Sequence, residues 1–267
     1  MVDGITQIQS MRPVKLLFLF SFLSGLIFLA GCAHQPPKPL PSTGPLVAPV
    51  NAANLTAFAQ PQSLYHIVGP SETLWRISKT YNVDINTLMR VNQLTDPTKI
   101  SNGQKLLIPN TLGPRPVIPL YPNKRWTHIV IHHTATEAGN AFSIDKLHHT
   151  RGFWNGLGYH FLIDNGTDSK VEGQIEVGPR WIKQQDGAHA NANGMNQTGI
   201  GISLIGNFSE QAVPPRMVEA LLYLVRVLQQ YYHIPPQNVI RHNEVPGKNT
   251  ECPGSQFPWQ EFKQRLH

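Results

Sequence analysis

Two imidazoles and one thiol, His132, His242 and Cys252, are the side chains best suited to chemistry in this sequence. Together they make a three-donor set for a divalent ion and leave a fourth tetrahedral position open for water or substrate. Zinc suits this mixture of nitrogen and sulfur, and it would hold Cys252 as a thiolate. The site would carry a net charge of about one positive, enough to activate water and polarise an amide carbonyl. Spacing alone does not separate these residues from packed core histidines, and the chain has 12 histidines.

Residues 127–133 alternate and run apolar, which predicts a buried strand ending in His132 and His133. Residues 159–163 and 199–205 predict two more strands. The clearest helix spans residues 217–232, with Leu221, Leu224, Val225 and Leu228 on one face, and Pro235-Pro236 stops it. Residues 238–242 return as a short strand that brings in His242. Strands and helices mix throughout, so the expectation is an α/β domain with one mixed sheet flanked by helices.

The chain has 267 residues, 40% of them hydrophobic, which allows one large domain or a medium and a small one. Its 23 prolines cluster, and the clusters mark boundaries. Residues 32–63 and 110–125 read as proline-rich linkers, leaving folded segments at 64–109 and 126–267. Extended at about 3.1 Å per residue, the first linker could reach on the order of 90 Å. The segment 64–109 predicts a strand-helix-helix-strand module, with Leu74, Ile77 and Ser78 on one helical face, Leu88 and Val91 inward, and Gly103 in a turn. It holds no cluster of titratable groups, so binding rather than catalysis is its natural job. The net charge of +6 is scattered, with no arginine-rich stripe, which argues against a nucleic-acid partner and suits an anionic polymer. A monomer is expected.

At the amino terminus, Arg12 and Lys15 precede an apolar run from Leu16 to Ala30. A run of about fifteen residues suits a signal peptide (residues 1–31) better than a membrane span, which needs roughly twenty. It ends in Leu29-Ala30-Gly31-Cys32, which resembles a bacterial lipobox. That resemblance implies acylation of Cys32, attachment to a membrane, and, with Ala33 following, an outer-membrane lipoprotein facing the periplasm. The alternative for the two cysteines, a Cys32–Cys252 disulfide, leaves both local patterns unexplained.

Two family resemblances extend this reading. Residues 64–109 resemble the lysin-motif (LysM) family through His66-x-Val68, Thr73-Leu74-Trp75-x-Ile77, Leu88-x-x-x-Asn92 and Ile100-x-x-Gly103-Gln-Lys-Leu-x-Ile-Pro109. The resemblance implies binding to glycans rich in N-acetylglucosamine. One departure stands out: Ser71-Glu72 replaces the family's usual Gly-Asp in a loop bordering the sugar groove. Residues 126–258 resemble the zinc amidases that include phage lysozyme-type amidases and animal peptidoglycan-recognition proteins. The matching pieces are Val130-Ile-His-His-Thr-Ala135, Gly158-Tyr-His-Phe-Leu-Ile163, Gly187-Ala-His189, Gly199-Ile-Gly-Ile202, Gly206-Asn-Phe208, Arg241-His242 and Thr250-Glu-Cys-Pro-Gly254.

This second resemblance implies that His132, His242 and Cys252 bind zinc, with His133 pointing the other way by strand alternation. It implies that Tyr159 faces the metal site and that Thr250 helps to hold an oxyanion where phage enzymes use lysine. Ser203 stands where some relatives place a glutamate, which leaves the general base open between Tyr159 and the metal-activated water. Trp154, Asn155 and His189 are expected to line the peptide groove. The implied reaction cuts the amide between N-acetylmuramic acid and L-alanine in peptidoglycan. Recognition proteins of this family that bind without cutting commonly lack the cysteine, and Cys252 is present.

Overall fold

The computed structural model describes residues 56–266 apart from Lys124. The signal-peptide and lipidation expectations, with Cys32, lie outside the described residues.

The amino-terminal module pairs β1 (Gln62–Ile67) antiparallel with β2 (Lys105–Thr111) and packs α1 (Leu74–Tyr81) and α2 (Ile85–Val91) against them. Thr73 caps α1 by accepting from the Arg76 N–H, and Asp84 caps α2 by accepting from the Thr87 N–H. Val68, Leu74, Ile77, Tyr81, Leu88, Leu106 and Ile108 form its core. Val91, expected inward, is only half-buried, and Met89 packs against the core in its place.

The sheet of the larger domain has the order β5-β4-β6-β3-β7. Its strands are β3 (His128–His133), β4 (Phe161–Ile163), β5 (Ile175–Val177), β6 (Gly199–Leu204) and β7 (Val239–Arg241). β3 lies between β6 and β7 and runs parallel to both, β4 is parallel to β6, and β5 closes one edge antiparallel to β4. This is the mixed, helix-flanked sheet that the sequence predicts.

Five helices complete the domain: α3 (Ala141–Thr150), α4 (Pro179–Ile182), α5 (Met195–Thr198), α6 (Pro215–Tyr232) and α7 (Trp259–Gln264). Pro215 opens α6 where its missing N–H has no helical partner to lose, and His233, at φ 56°, ends it. Met217, Leu221, Leu224, Val225 and Leu228 of α6 pack with Ile129, Ile131, Ile200, Ile202 and Leu204 of the central strands. Each such side chain, fully buried, contributes about 1.5–3 kcal/mol. Strand alternation turns Val130, His132, Gly201 and Ser203 to the opposite face.

The stretch 110–125 does more than connect. Ile118, Leu120 and Tyr121 pack against the main core, Trp181 Nε1 donates to the Pro119 carbonyl at 2.7 Å, and the Tyr232 hydroxyl donates to the Tyr121 carbonyl at 3.0 Å. The module is also docked onto the larger domain. Lys170 Nζ donates to the Ile67 carbonyl at 2.9 Å while pairing with Glu176, and the Tyr81 hydroxyl meets the Gln174 amide. The ring of Phe142 lies so close over Gly103 that a Cβ there would come within 2.4 Å of it.

The Ser71-Glu72 departure belongs to this docked side. Glu72 turns inward and accepts from the Gly69 N–H at 2.9 Å and pairs with His66 Nε2 at 2.8 Å. Ser71 occupies the left-handed region at φ 61°, a conformation that glycine adopts without strain.

Candidate active site

His132 is delivered by the carboxyl end of β3, between β6 and β7, at the end of the sheet where open α/β folds commonly form their sites. His242 follows directly after β7, and Cys252 lies on the next loop, held by its carbonyl accepting from the Asn243 N–H at 3.0 Å. One donor atom from each residue lies within 4.8 Å of the others. Cys252 Sγ sits 3.7 Å from His132 Nδ1 and accepts from the His133 N–H at 3.4 Å. The sequence-predicted trio is therefore brought together. His133 points away, its Nδ1 accepting from the Phe208 N–H.

The donor set fits a metal on two independent counts. His242 Nε2 is buried without a hydrogen-bond partner. Buried polar atoms are rarely left unpaired, so this one is aimed at something else. The second count is charge. Burial, then neighbouring His189 and His242, hold His132 well below the usual imidazole range. Burial and the nearby Lys248 ammonium bring His242 to about 4. Burial pushes the Cys252 thiol up to about 12. The imidazoles are thus ready as neutral ligands, and the thiol needs a cation to become a thiolate.

Tyr159 stands across from this set, its ring 5.3 Å from that of His132. Burial, then Cys252, raises its hydroxyl to about 12, so it is a proton donor at neutral pH. Thr250 Oγ1 accepts from the Cys252 N–H at 3.2 Å, which fixes the hydroxyl beside the thiol. Ser203 lies buried on the same side, its hydroxyl close to that of Tyr159. Trp154 is 84% exposed on the loop after α3, and Asn155 beside it is half-buried. Phe153 in that loop stacks on His148, which in turn contacts Tyr159.

His189 departs from the sequence expectation. It is buried behind His132 rather than lining a groove, its Nδ1 3.1 Å from His132 Nε2. Gly187 and Gly201 make the slot for its ring, since a Cβ on either would fall 2.2 or 2.5 Å from it. The motif Gly187-Ala-His189 was visible in the sequence, but the packing that turns the ring inward was not. Lys248, whose charge reaches both metal-site histidines, was missed because nothing local marks it.

These observations define an α/β domain with a three-donor pocket at the carboxyl end of β3. Residues 122–255 match the N-acetylmuramoyl-L-alanine amidase family, Amidase_2, and the chain belongs to that family. Residues 66–109 match the LysM domain. Peptidoglycan-recognition protein SC1a of Drosophila melanogaster is 30% identical over 150 residues, which are 53% of this chain and 74% of that protein. N-acetylmuramoyl-L-alanine amidase AmiD of Escherichia coli (strain K12) is 30% identical over 153 residues, covering 51% of this chain and only 52% of AmiD. Among solved structures, the N-acetylmuramoyl-L-alanine amidase LysC from Clostridium intestinale URNW is 37% identical, with a TM-score of 0.46, over 56% of this chain and 90% of that one.

Proposed function

We propose that this chain is a zinc-dependent N-acetylmuramoyl-L-alanine amidase acting on peptidoglycan. The observation that carries the reading is the converged His132, His242 and Cys252 set, with His242 Nε2 buried and unpaired. Zinc held there would supply Lewis acidity toward an amide carbonyl and toward water. Tyr159, kept protonated by its burial, donates a hydrogen bond to the carbonyl oxygen as charge builds on it. Thr250, held beside Cys252, adds a second hydroxyl on that side. A tyrosine held protonated is a poor general base, so its role here is that of a hydrogen-bond donor. The exposed Trp154 offers an aromatic face to the substrate's stem peptide.

The LysM module would hold the enzyme on glycan strands, and acylated Cys32 would tether it to the outer membrane facing the periplasm. The domain boundaries at 31, 63, 109 and 125 belong to the same proposal. Mass spectrometry of digested sacculi tests the activity. Stem peptides released with intact amino-terminal alanine, leaving free lactyl carboxylates, are expected. Retention on the wall with no release would make the protein a receptor instead. Cys32→Ser should abolish sedimentation with washed membranes, and unchanged sedimentation would remove the lipid anchor.

A further inference from the structure

The loop of residues 187–196 carries His189, whose ring lies against that of His132. His189 Nε2 lies 3.1 Å from the Gly199 carbonyl, which can only accept, so this nitrogen carries the proton. His189 Nδ1 is then an acceptor, and it faces His132 Nε2 at 3.1 Å. His132 must therefore carry its proton on Nε2, which leaves the Nδ1 lone pair directed toward Cys252 Sγ.

The loop that makes these contacts is itself pinned. Asn196 Oδ1 accepts from the N–H groups of His189, Ala190 and Asn191 at 3.0, 2.9 and 3.2 Å, and the Asn196 carbonyl accepts from the Gly187 N–H at 2.8 Å. Gly187 and Gly201 are the two positions where the His189 ring leaves no room for a Cβ, so ring and loop are fitted to each other.

We infer that residues 187–196 form a tautomer-setting loop, in which His189 orients His132 as a ligand and Asn196 holds His189 in place. His189 is thus a positioning residue, not a groove residue. The inference rests on the zinc reading for its consequence, but the tautomers themselves exist without metal. Partners of this kind are worth about 10–100-fold in metal affinity.

Two measurements on the full-length chain separate the possibilities. In metal-free protein, long-range ¹H–¹⁵N spectra should show His132 protonated at Nε2. In His189→Leu, His132 should lose this single tautomer, and zinc affinity measured by chelator competition should fall about 10–100-fold. His189→Asn keeps an acceptor at the position of Nδ1 and should stay within a few-fold of the parent, which a merely space-filling role would not explain. Asn196→Ala should disturb the His132 tautomer through His189, with melting curves confirming that each variant is folded. An Nδ1 proton on His132, or equal zinc affinity in the parent and His189→Leu, would overturn the inference. If the parent protein shows the expected tautomers yet takes up no zinc, the loop assignment stands and the metal reading fails.

Discussion

Two clusters of buried ionisable groups sit in the described residues, and they follow opposite rules. In the first, His132, His189, His242 and Cys252 have no counter-charge among them. Burial pulls the imidazoles down and pushes the thiol up, so every member is neutral. In the second, Lys170 pairs with Glu176 and donates to the module's Ile67 carbonyl, with Glu72 and His66 close by. Burial alone would raise the Glu72 carboxyl, yet the charge and hydrogen bond of His66, then Lys170, bring it to about 2. Burial would likewise lower Lys170, and Glu176 and Glu72 drive it above the ordinary lysine range. The same desolvation acts on both clusters. Opposite charges that pair with one another hold a cluster together as structure; a cluster that supplies no counter-charge stays neutral, as the proposed metal ligands do.

The largest expected effect breaks the first cluster. Cys252→Ser should weaken zinc binding by more than about 100-fold, beyond what an outer partner contributes, and should remove hydrolysis. Because the thiol is neutral without metal, melting in the presence of chelator should barely change. A variant that is unfolded in chelator would mean that the site is structural, like the second cluster.

Lys170→Met should do the reverse. Removing one partner of a buried pair leaves the other charge uncompensated, at about 3–5 kcal/mol. Urea unfolding would read that loss, while the zinc affinity of the folded fraction should remain that of the parent. A stability change below about 1 kcal/mol would show that Glu176 can discharge its carboxylate without the lysine.

Acid sharpens the same contrast. Glu72 has a folded-state pKa below its unfolded value of 4.5, so its contribution is present above that value and is lost as pH falls toward about 2. Asp164 is raised by burial and by Glu176, so it has the opposite sign and favours the folded state most when protonated. Subtracting the stability of Glu72→Gln from that of the parent isolates the first. The difference should shrink between about pH 5 and pH 2 by roughly 2–3 kcal/mol, given one pKa unit at about 1.4 kcal/mol. A difference that is flat with pH would detach Glu72 from His66 and Lys170.

His132, His242 and Cys252 of the first cluster were legible in the sequence, whereas His189 and the second cluster were not, for a physical reason. Periodicity places His132 near the end of one strand and His242 after another, and the family resemblance joins them with Cys252 in one site. The long α6 and the module's strand-helix-helix-strand order were equally visible in their apolar spacing. Helix α3 was missed because its register mixes Ala141, Ile144 and His148 inside with Lys146, His149 and Thr150 outside, and its start depends on the Asn140–Ser143 capping box. Lys170, Glu176 and Glu72 each look like ordinary surface charges. Lys170 and Glu176 pair within the larger domain, docking of the module brings Glu72 to them, and nothing in the spacing of residues 72, 170 and 176 announces either. The same docking explains why the proline-rich stretch 110–125, read as a spacer, is laid against Trp181 and Tyr232.

The smallest effect tests whether the module's unusual loop was reshaped for that docking. Ser71 holds φ 61°, where an L-residue is strained by about 1–2 kcal/mol and glycine is not. Glycine gives back roughly 0.4–1 kcal/mol through its greater freedom in the unfolded chain, so Ser71→Gly should stabilise by a few tenths to about 1 kcal/mol. For a unit of this size the melting point should rise by about 1–3 °C. Glu72→Asp should act in the other direction. One methylene shorter, the carboxylate cannot keep both the Gly69 N–H and His66 Nε2, and the loss of a charge-assisted hydrogen bond costs about 1.5–3 kcal/mol. Making both changes restores the family's Gly-Asp while loosening the second cluster. If the loop gave up glycan contact for docking, the double variant should melt lower yet be retained more strongly on insoluble sacculi. Unchanged retention together with lower stability would mean that Glu72 serves the interface alone, and that glycan binding by the module does not depend on this loop.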